Sequence, residues 1–240
     1  MADHSKIEWT EATWNPVTGC TKISDGCANC YAERLAKRLR AMGNAKYSDG
    51  FKVTLHPGSL ETPLAWRQPR MVFVNSMGDL FHHEVPLDLI QGVFNTIKKS
   101  PQHTYQILTK RASRLAQLAP ILQWPDNLWM GVTVENGKYL DRVNDLATVP
   151  AKVRFISCEP LLGPLKGLNL NAIDWVIAGG ESGPGARPLN PDWVRALRNI
   201  CMEQSVPFFF KQWGGVNKKK TGRILDGVEW AEYPKAVNDD

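Results

Sequence analysis

Three of the five cysteines lie close together near the amino end of the chain, as Cys20, Cys27 and Cys30. Six residues separate the first cysteine from the second, and two separate the second from the third. The two-residue gap lets two thiolates turn toward one metal centre, and Gly26 permits the unusual backbone that a close approach requires. An odd number of cysteines cannot all pair as internal disulfides, and clustered thiols in a reducing compartment usually bind metal. The spacing therefore predicts a metal site on these three residues.

The identity of the metal depends on the number of ligands. Structural zinc takes four protein ligands, whereas the sequence offers three thiolates with no obvious fourth. A four-iron cluster held by three cysteines leaves one iron free to bind a substrate or a cofactor. The spacing favours the iron–sulfur cluster. Two alternatives stay open: three ordinary thiols, or zinc completed by a histidine such as His4, His56, His82 or His83.

The composition limits the class of protein. Of the 240 residues, 43% are hydrophobic and 22% are charged, which favours a packed core and excludes a disordered chain. The net charge of +5 permits an anionic partner without requiring one. No apolar run is long enough to cross a bilayer, and the amino end carries no apolar secretory core. We expect a cytoplasmic protein with no membrane partner, folded as one domain over residues 1–240 in which residues 214–240 form a carboxyl-terminal extension.

The cysteines must be positioned by the strands and helices around them. In the sequence, short apolar runs alternate with helical patterns. Such runs are typical of buried strands, and strand–helix alternation predicts a parallel sheet covered by helices. The fold class that we expect is α/β, a partial or complete (β/α) barrel of parallel strands. Helical spacing covers residues 31–42, 87–99, 112–122, 139–146 and 193–202, with Asn190 and Pro191 as a helix start. The predicted strands are a short one near Trp14 and residues 71–74, 105–108, 128–134, 153–156, 175–178 and 206–210.

Ionisable residues follow several of these strands. The carboxylates are Asp79, Glu135, Glu159 and Glu181. Because the carboxyl ends of barrel strands face one cavity, we expect these groups to converge on one rim. Cys158 also follows a strand, where it is either a hydrogen-atom donor, a further metal ligand or a small buried thiol.

The three-cysteine loop after the first strand resembles the radical S-adenosylmethionine (SAM) superfamily. More closely, the chain is similar to a phage and prophage family of three-cysteine-motif proteins, from about residue 7 to about residue 215. Two features depart from the superfamily pattern: six residues rather than three separate the first two cysteines, and Asn29 replaces the usual aromatic residue before the third cysteine. The segments that carry the closer resemblance are residues 14–32, 78–82, 108–111, 131–136, 159–164, 179–183 and 209–214.

The resemblance implies a [4Fe-4S] cluster on Cys20, Cys27 and Cys30, with SAM bound to the open iron. A reductant such as flavodoxin or ferredoxin would supply the electron that cleaves SAM. The resulting 5′-deoxyadenosyl radical would abstract hydrogen from a substrate in the barrel mouth, which is unknown and is expected to be a nucleotide or a nucleic acid. The resemblance therefore implies an enzyme whose cofactors carry the difficult chemistry.

The resemblance also implies roles for strand-end residues. The Asp79 carboxylate would meet the methionine ammonium of SAM in a charge-assisted hydrogen bond. Thr133 and Glu135 would bind the ribose hydroxyls, while Gly179 and Gly180 would let the backbone approach adenine. The full set of implied cofactor-binding residues is Ser76, Met77, Gly78, Asp79, Thr133, Glu135, Gly179, Gly180 and Glu181.

The candidate catalytic residues are Lys110, Glu159 and Cys158. Lys110 would meet the methionine carboxylate or an anionic substrate. Two other functions remain open from the sequence. One is a zinc-binding, non-redox protein that binds nucleic acid or a protein partner, and the other is an iron–sulfur protein that does not cleave a cofactor.

Overall fold

The computed structural model describes residue 5 and residues 7–235. Its helices and strands confirm the predicted strand–helix alternation. The helices are α1 (Tyr31–Ala41), α2 (Leu87–Lys99), α3 (Ala112–Leu118), α4 (Asp141–Ala147), α5 (Pro191–Glu203) and α6 (Lys218–Thr221). The strands are β1 (Ala12–Trp14), β2 (Val17–Thr18), β3 (Thr54–Leu55), β4 (Met71–Val74), β5 (Thr104–Thr109), β6 (Leu128–Thr133), β7 (Val153–Cys158), β8 (Trp175–Gly179), β9 (Phe208–Gln212), β10 (Ile224–Leu225) and β11 (Val228–Glu229).

Within the described residues, seven strands form one sheet in the order β1-β4-β5-β6-β7-β8-β9. Each strand is parallel to its neighbours, and the sheet curves into a half-barrel. The fold class predicted from the sequence, an α/β partial barrel, is confirmed. Because all strands run the same way, their carboxyl ends lie along one edge, where the connecting loops meet.

The element boundaries differ from the predicted ones where local chemistry intervenes. The predicted helix over 112–122 ends at Leu118, and residues 119–121, which include Pro120, form a 3₁₀ turn. The last sheet strand begins at Phe208 instead of Val206, after Pro207. The predicted helix start holds, because the Asn190 side chain accepts a hydrogen bond from the backbone N–H of Asp192.

Both faces of the sheet are buried, and they differ in character. The outer face packs against the helices through aliphatic residues such as Ile107 and Val176. The inner face is filled by an aromatic plug that includes Trp9, Phe155 and Trp175. The Trp175 ring lies 5.7 Å from the Phe155 ring and 6.4 Å from the Trp9 ring, centroid to centroid. The plug closes the lower half of the half-barrel and leaves space at the end where the strands finish.

The carboxyl-terminal segment covers the outer edge of β9. The backbone N–H groups of Phe210 and Glu232 donate to the carbonyls of Trp230 and Phe208, and the Trp175 indole donates to the carbonyl of Glu232. Residues 236–240 of the expected extension lie outside the described residues. In the part of the chain that the structure describes, no helix combines the length and apolarity needed to span a bilayer.

The plug leaves no room beside Gly131 on β6. A Cβ atom built there would lie 2.5 Å from the Phe155 ring. We expect Gly131→Ala to lower the free energy of unfolding by about 1–3 kcal/mol, the usual effect of overpacking. Gly58→Ala, with no atom within 4 Å of the added Cβ, is the matched control. Urea unfolding measures both, and adding Phe155→Leu to Gly131→Ala should recover part of the loss. Equal stability of the two alanine variants would contradict the packing that we describe.

Candidate active site

The carboxyl ends of the sheet strands open into a cavity of about 460 Å³. This volume lies within the range of small-molecule sites. The three predicted cysteines and several predicted strand-end residues line the cavity together, although they are far apart in sequence. The lining residues include Cys20, Cys27, Cys30, Ser76, Gly78, Asp79, Lys110, Thr133, Glu159, Gly180 and Glu181.

The cysteine loop connects the small strand β2 to α1. A 3₁₀ turn brings Cys27 to the cavity, and Cys30 directly precedes the first residue of α1. All three thiols are free and partly exposed. Among the described residues, no three His, Cys, Asp or Glu side chains that include a cysteine have ligand atoms within 4.8 Å of one another. The three sulfur atoms are therefore not gathered around a single point.

This spacing discriminates between the two metals. The sulfurs of a tetrahedral zinc site lie about 3.8 Å apart, given Zn–S bonds of about 2.3 Å. Thiolates on three separate irons of a four-iron cluster lie about 6 Å apart, because the irons stand between them. At least two of the three sulfurs lie more than 4.8 Å apart, so the loop does not form a closed zinc site as it stands.

The histidines proposed as a fourth zinc ligand have other partners. His56 Nε2 lies 2.8 Å from Thr18 Oγ1, and His82 Nε2 lies 2.8 Å from Thr21 Oγ1. His82 is buried, and its Nδ1 accepts a hydrogen bond from the backbone N–H of Glu84. With both ring nitrogens engaged, His82 positions the loop residue next to Cys20. The remaining candidates are His83, which is exposed, and His4, which lies outside the described residues.

Glu135 lies beneath the cysteine loop and outside the cavity lining, and its side chain is 0% exposed. One oxygen accepts hydrogen bonds from Lys110 Nζ and from the Ser24 hydroxyl, and the other lies 2.9 Å from Arg142 Nη1. Because the Ser24 proton goes to the carboxylate, the Ser24 oxygen is left to accept from the Cys27 thiol, 3.5 Å away. The carboxylate thus ties the loop to the end of β6.

Glu181 holds the loop from the opposite side. Arg187 donates to both of its carboxylate oxygens, at 2.6 and 2.9 Å, and the Asn29 amide donates at 2.9 Å. Although burial alone would raise the pKa of Glu181, these hydrogen bonds and the Arg187 charge lower it to about 2. Asn29, which departs from the superfamily pattern, therefore has a structural partner in this chain.

Asp79 connects the turn after β4 to the neighbouring strand end. Oδ1 accepts from the Thr109 hydroxyl at 2.7 Å and from the Phe81 N–H at 2.9 Å. Oδ2 is held less firmly, 3.3 Å from the Lys110 N–H and 3.9 Å from Arg111 Nε. This carboxylate oxygen is the one best able to accept a further hydrogen bond in the cavity.

The Cys20 thiol lies in an unfavourable place for an unpaired anion. Burial raises the pKa of Cys20 to about 11, and the Asp79 carboxylate adds to the rise, while Arg111 opposes it. A cation bound at this thiolate would supply the stabilisation that water does not. Such surroundings suit a metal ligand better than a free nucleophile.

Other predicted residues lie beside the cavity or behind it. Glu159 lines the cavity and pairs with Lys211, at 3.2 Å. Met77 packs with Ala32 and Tyr47 at the foot of α1. Gly179 lies against Glu159, because an added Cβ would approach its Oε1 to 2.5 Å.

Two of the candidate catalytic residues, Cys158 and Lys110, have surroundings that the sequence did not predict. Cys158 is buried in the helix-side core, where burial raises the pKa of its thiol well above the usual value. This place favours the small buried thiol among the three roles that the sequence allowed. Lys110 lines the cavity but is paired with Glu135, so it has a partner before any ligand binds.

Sequence reasoning missed the cations that neutralise the strand-end carboxylates. These are Arg111, Arg142, Arg187 and Lys211. A buried carboxylate needs a partner, so their existence was predictable, but the sequence does not say which of 29 lysines and arginines pairs with which acid. The neutral groups Ser157 and Gln212 also line the cavity.

Comparisons with known proteins show a family and a fold. The family described as "Protein of unknown function (DUF5131)" matches residues 4–234. No curated protein matches the chain. Among solved structures it is similar to "Spore photoproduct lyase complexed with dinucleoside spore photoproduct", at 11% identity and a TM-score of 0.51. The match covers 82% of this chain and 62% of that one, so this chain spans less than two thirds of that protein's length. At this identity the likeness shows the fold.

The pairing of Glu181 predicts acid sensitivity. Its pKa is lowered from 4.5 to about 2, so its contribution to stability is present at neutral pH and is lost as the pH falls from about 4.5 to about 2. We expect Glu181→Gln to lower the free energy of unfolding by about 1–3 kcal/mol at pH 7. As the pH falls from about 4.5 to about 2, the free energy of unfolding of the variant should decrease less steeply than that of the wild type. Unfolding measured across pH tests this, with the exposed Glu203→Gln as control. A Glu181→Gln profile that runs parallel to the wild type would show that the pair has no such role.

Proposed function

This chain belongs to the DUF5131 family, whose function is unknown, and we propose that it is a radical SAM enzyme. In this proposal Cys20, Cys27 and Cys30 hold a [4Fe-4S] cluster, and SAM occupies the adjoining cavity. The observation that carries the proposal is the placement of three openly spaced thiols at the mouth of a half-barrel cavity. The likeness in fold to spore photoproduct lyase, a radical SAM enzyme, supports it.

The donor set fits the cluster. His56 and His82, two of the histidines considered as a fourth ligand, lie within hydrogen-bond distance of threonine hydroxyls, so three thiols would leave one coordination position for an exchangeable molecule. Charged groups nearby are already paired, which holds the loop in place without competing for the metal. The sulfur spacing argues against the zinc-binding protein that the sequence left open.

When bound, the cluster and SAM supply a one-electron cleavage that generates a 5′-deoxyadenosyl radical for hydrogen abstraction. This chain's own residues bind and orient. Asp79 lines the cavity, and its less firmly held Oδ2 is proposed to accept a hydrogen bond from the SAM ammonium. Thr133 and Gly180 line the cavity and remain proposed contacts of the ribose and adenine. The aromatic plug below closes the lower half of the half-barrel, which would limit the access of water to the reacting atoms from that side.

Other parts of the proposal concern partners and substrate. The structure of similar fold holds a dinucleoside, and this chain carries a net charge of +5. Both support a nucleotide or a nucleic acid as substrate. A flavodoxin or ferredoxin as reductant, a cytoplasmic location and the phage relationship stay predictions.

Replacing one loop cysteine tests the cluster directly. After anaerobic reconstitution, the wild type should bind about four iron atoms per chain, show charge-transfer absorption, and form 5′-deoxyadenosine from SAM with dithionite. Cys27→Ala should lose the iron and the product together. Cys201→Ala, which removes a buried thiol of α5, should keep both. Stoichiometric zinc in a colourless wild-type protein would refute the proposal, and iron without 5′-deoxyadenosine would leave a non-catalytic iron–sulfur protein.

Replacing Asp79 separates SAM binding from cluster binding. Asp79→Asn keeps an oxygen for the Phe81 N–H but removes the charge, so iron content should stay at the wild-type value. The rate of 5′-deoxyadenosine formation at subsaturating SAM should fall at least tenfold, since about 1.4 kcal/mol or more of a charge-assisted hydrogen bond is lost. Asp88→Asn on α2 is the control. Unchanged SAM cleavage by the Asp79 variant would show that another group receives the ammonium.

A further inference from the structure

The buried lining of the cavity carries polar groups that lack partners. Among the described residues, Trp9 Nε1, Asn75 Nδ2, Ser157 Oγ and Gln212 Oε1 are buried atoms with no hydrogen-bond partner, and all four residues line the cavity. Buried polar groups are nearly always satisfied, because an orphaned one loses its hydrogen bonds to water without replacement. Four orphans around one cavity indicate that a ligand supplies the missing partners.

Existing hydrogen bonds fix what each orphan offers. The Asn75 carbonyl oxygen accepts from the Val17 N–H, at 3.1 Å, so its amide nitrogen is the free donor. Gln212 donates its amide nitrogen to the Gly180 carbonyl and to the Ser182 hydroxyl, so its carbonyl is the free acceptor. The Trp9 indole is a donor, and the Ser157 hydroxyl can do either. The ligand must therefore present both hydrogen-bond acceptors and an N–H donor.

The same four groups are uncharged, and the charged lining residues already have partners. The lining lysines Lys110 and Lys211 pair with Glu135 and Glu159, and Arg187, which lies outside the lining, pairs with the lining acid Glu181. None of these three cations is left for a phosphate or a carboxylate without breaking an ion pair. The group that enters this part of the cavity is therefore neutral.

The orphans lie deeper than the cysteines. Trp9, Asn75, Ser157 and Gln212 are at most 5% exposed, whereas the three thiols are partly exposed. Trp9 also belongs to the aromatic plug, and Phe73 of the plug lines the cavity beside it. The orphans thus mark a floor where polar groups meet flat apolar surface, and a molecule at the open metal position lies above it.

We propose that this floor is the substrate subsite and that it binds a ring carrying carbonyl and N–H groups, such as a nucleobase of the uracil type. The ring's carbonyls accept from Asn75, Trp9 and the Ser157 hydroxyl, its N–H donates to Gln212, and its face packs on the aromatic plug. Adenine offers ring-nitrogen acceptors and an exocyclic amino donor in a different arrangement, so adenosine is the discriminating control, and the floor lies deeper than the cysteines beside which SAM is proposed to bind. The assignment to substrate instead of cofactor rests on the proposed radical SAM function.

Binding to the reconstituted protein tests the subsite without using SAM cleavage. With saturating S-adenosylhomocysteine present, calorimetry should detect uridine, while adenosine and benzoate should bind at least tenfold more weakly. Ser157→Ala and Gln212→Met should each weaken uridine binding about tenfold, the effect of one lost hydrogen bond. Trp230→Phe is the matched control, because Trp230 Nε1 is also a buried orphan but Trp230 does not line the cavity.

Ser157→Ala gives a second, independent signature. Removing an orphaned hydroxyl should raise the melting temperature of the ligand-free protein by about 2–4 °C while it weakens uridine binding. A residue with a purely structural role would not raise stability when removed.

Three results would overturn the subsite: no binding of uridine, equal binding to wild type and both variants, or displacement of uridine by S-adenosylhomocysteine. Uridine binding by a protein that fails to cleave SAM would keep the subsite and refute the radical SAM function, so the two failures are distinguishable.

Discussion

The site depends on one buried carboxylate. Glu135 is fully buried, and an isolated charge there would be costly, so its pairing with Lys110 and Arg142 is a condition of the fold. The cysteine loop is built around it: Ser24 donates to it, and a Cβ at residue 26 would approach its Oε1 to 2.6 Å. Gly26 is thus explained by the carboxylate beneath it. The six-residue spacing between the first two cysteines gives the loop the length to make these contacts.

Other carboxylates around the rim of the cavity are also paired with cations. Acids follow four of the sheet strands, β4, β6, β7 and β8, and each acid has its own cation: Asp79 has Arg111, Glu135 has Lys110 and Arg142, Glu159 has Lys211, and Glu181 has Arg187. Two of these acids also hold the cysteine loop, through Ser24 and Asn29. Paired charges at low exposure are held in fixed geometry, and this fixes the loop that carries the three thiols. The rim is ionic and fixed, whereas the floor is neutral and open to a ligand.

Sequence patterns predicted the framework better than the roles within it. Every predicted strand and helix has a counterpart, because short apolar runs and helical spacing are local properties. The convergence of Asp79, Glu159 and Glu181 on one cavity followed from parallel strands alone. The direction of each side chain could not be predicted in this way. β7 is buried on both faces, so its sequence does not reveal that Ser157 lines the cavity while Cys158 packs against the helices. The partners of Glu135 come from separate strand ends and from α4, which only the fold brings together.

The aromatic plug connects stability to selectivity. Trp175 and its neighbours fill the lower half-barrel so completely that Gly131 has no space for a side chain. The floor of the cavity is therefore buried, and orphaned groups such as Ser157 Oγ and Gln212 Oε1 stay costly until a ligand satisfies them. A site of this kind rejects molecules that lack the matching groups more strongly than an apolar pocket does, because the orphans remain unpaired. The orphaned groups that lower the stability of the empty protein are thus the source of its discrimination between ligands. In the proposed radical SAM reaction, a reactive species formed at the rim would meet a group already held in place below it.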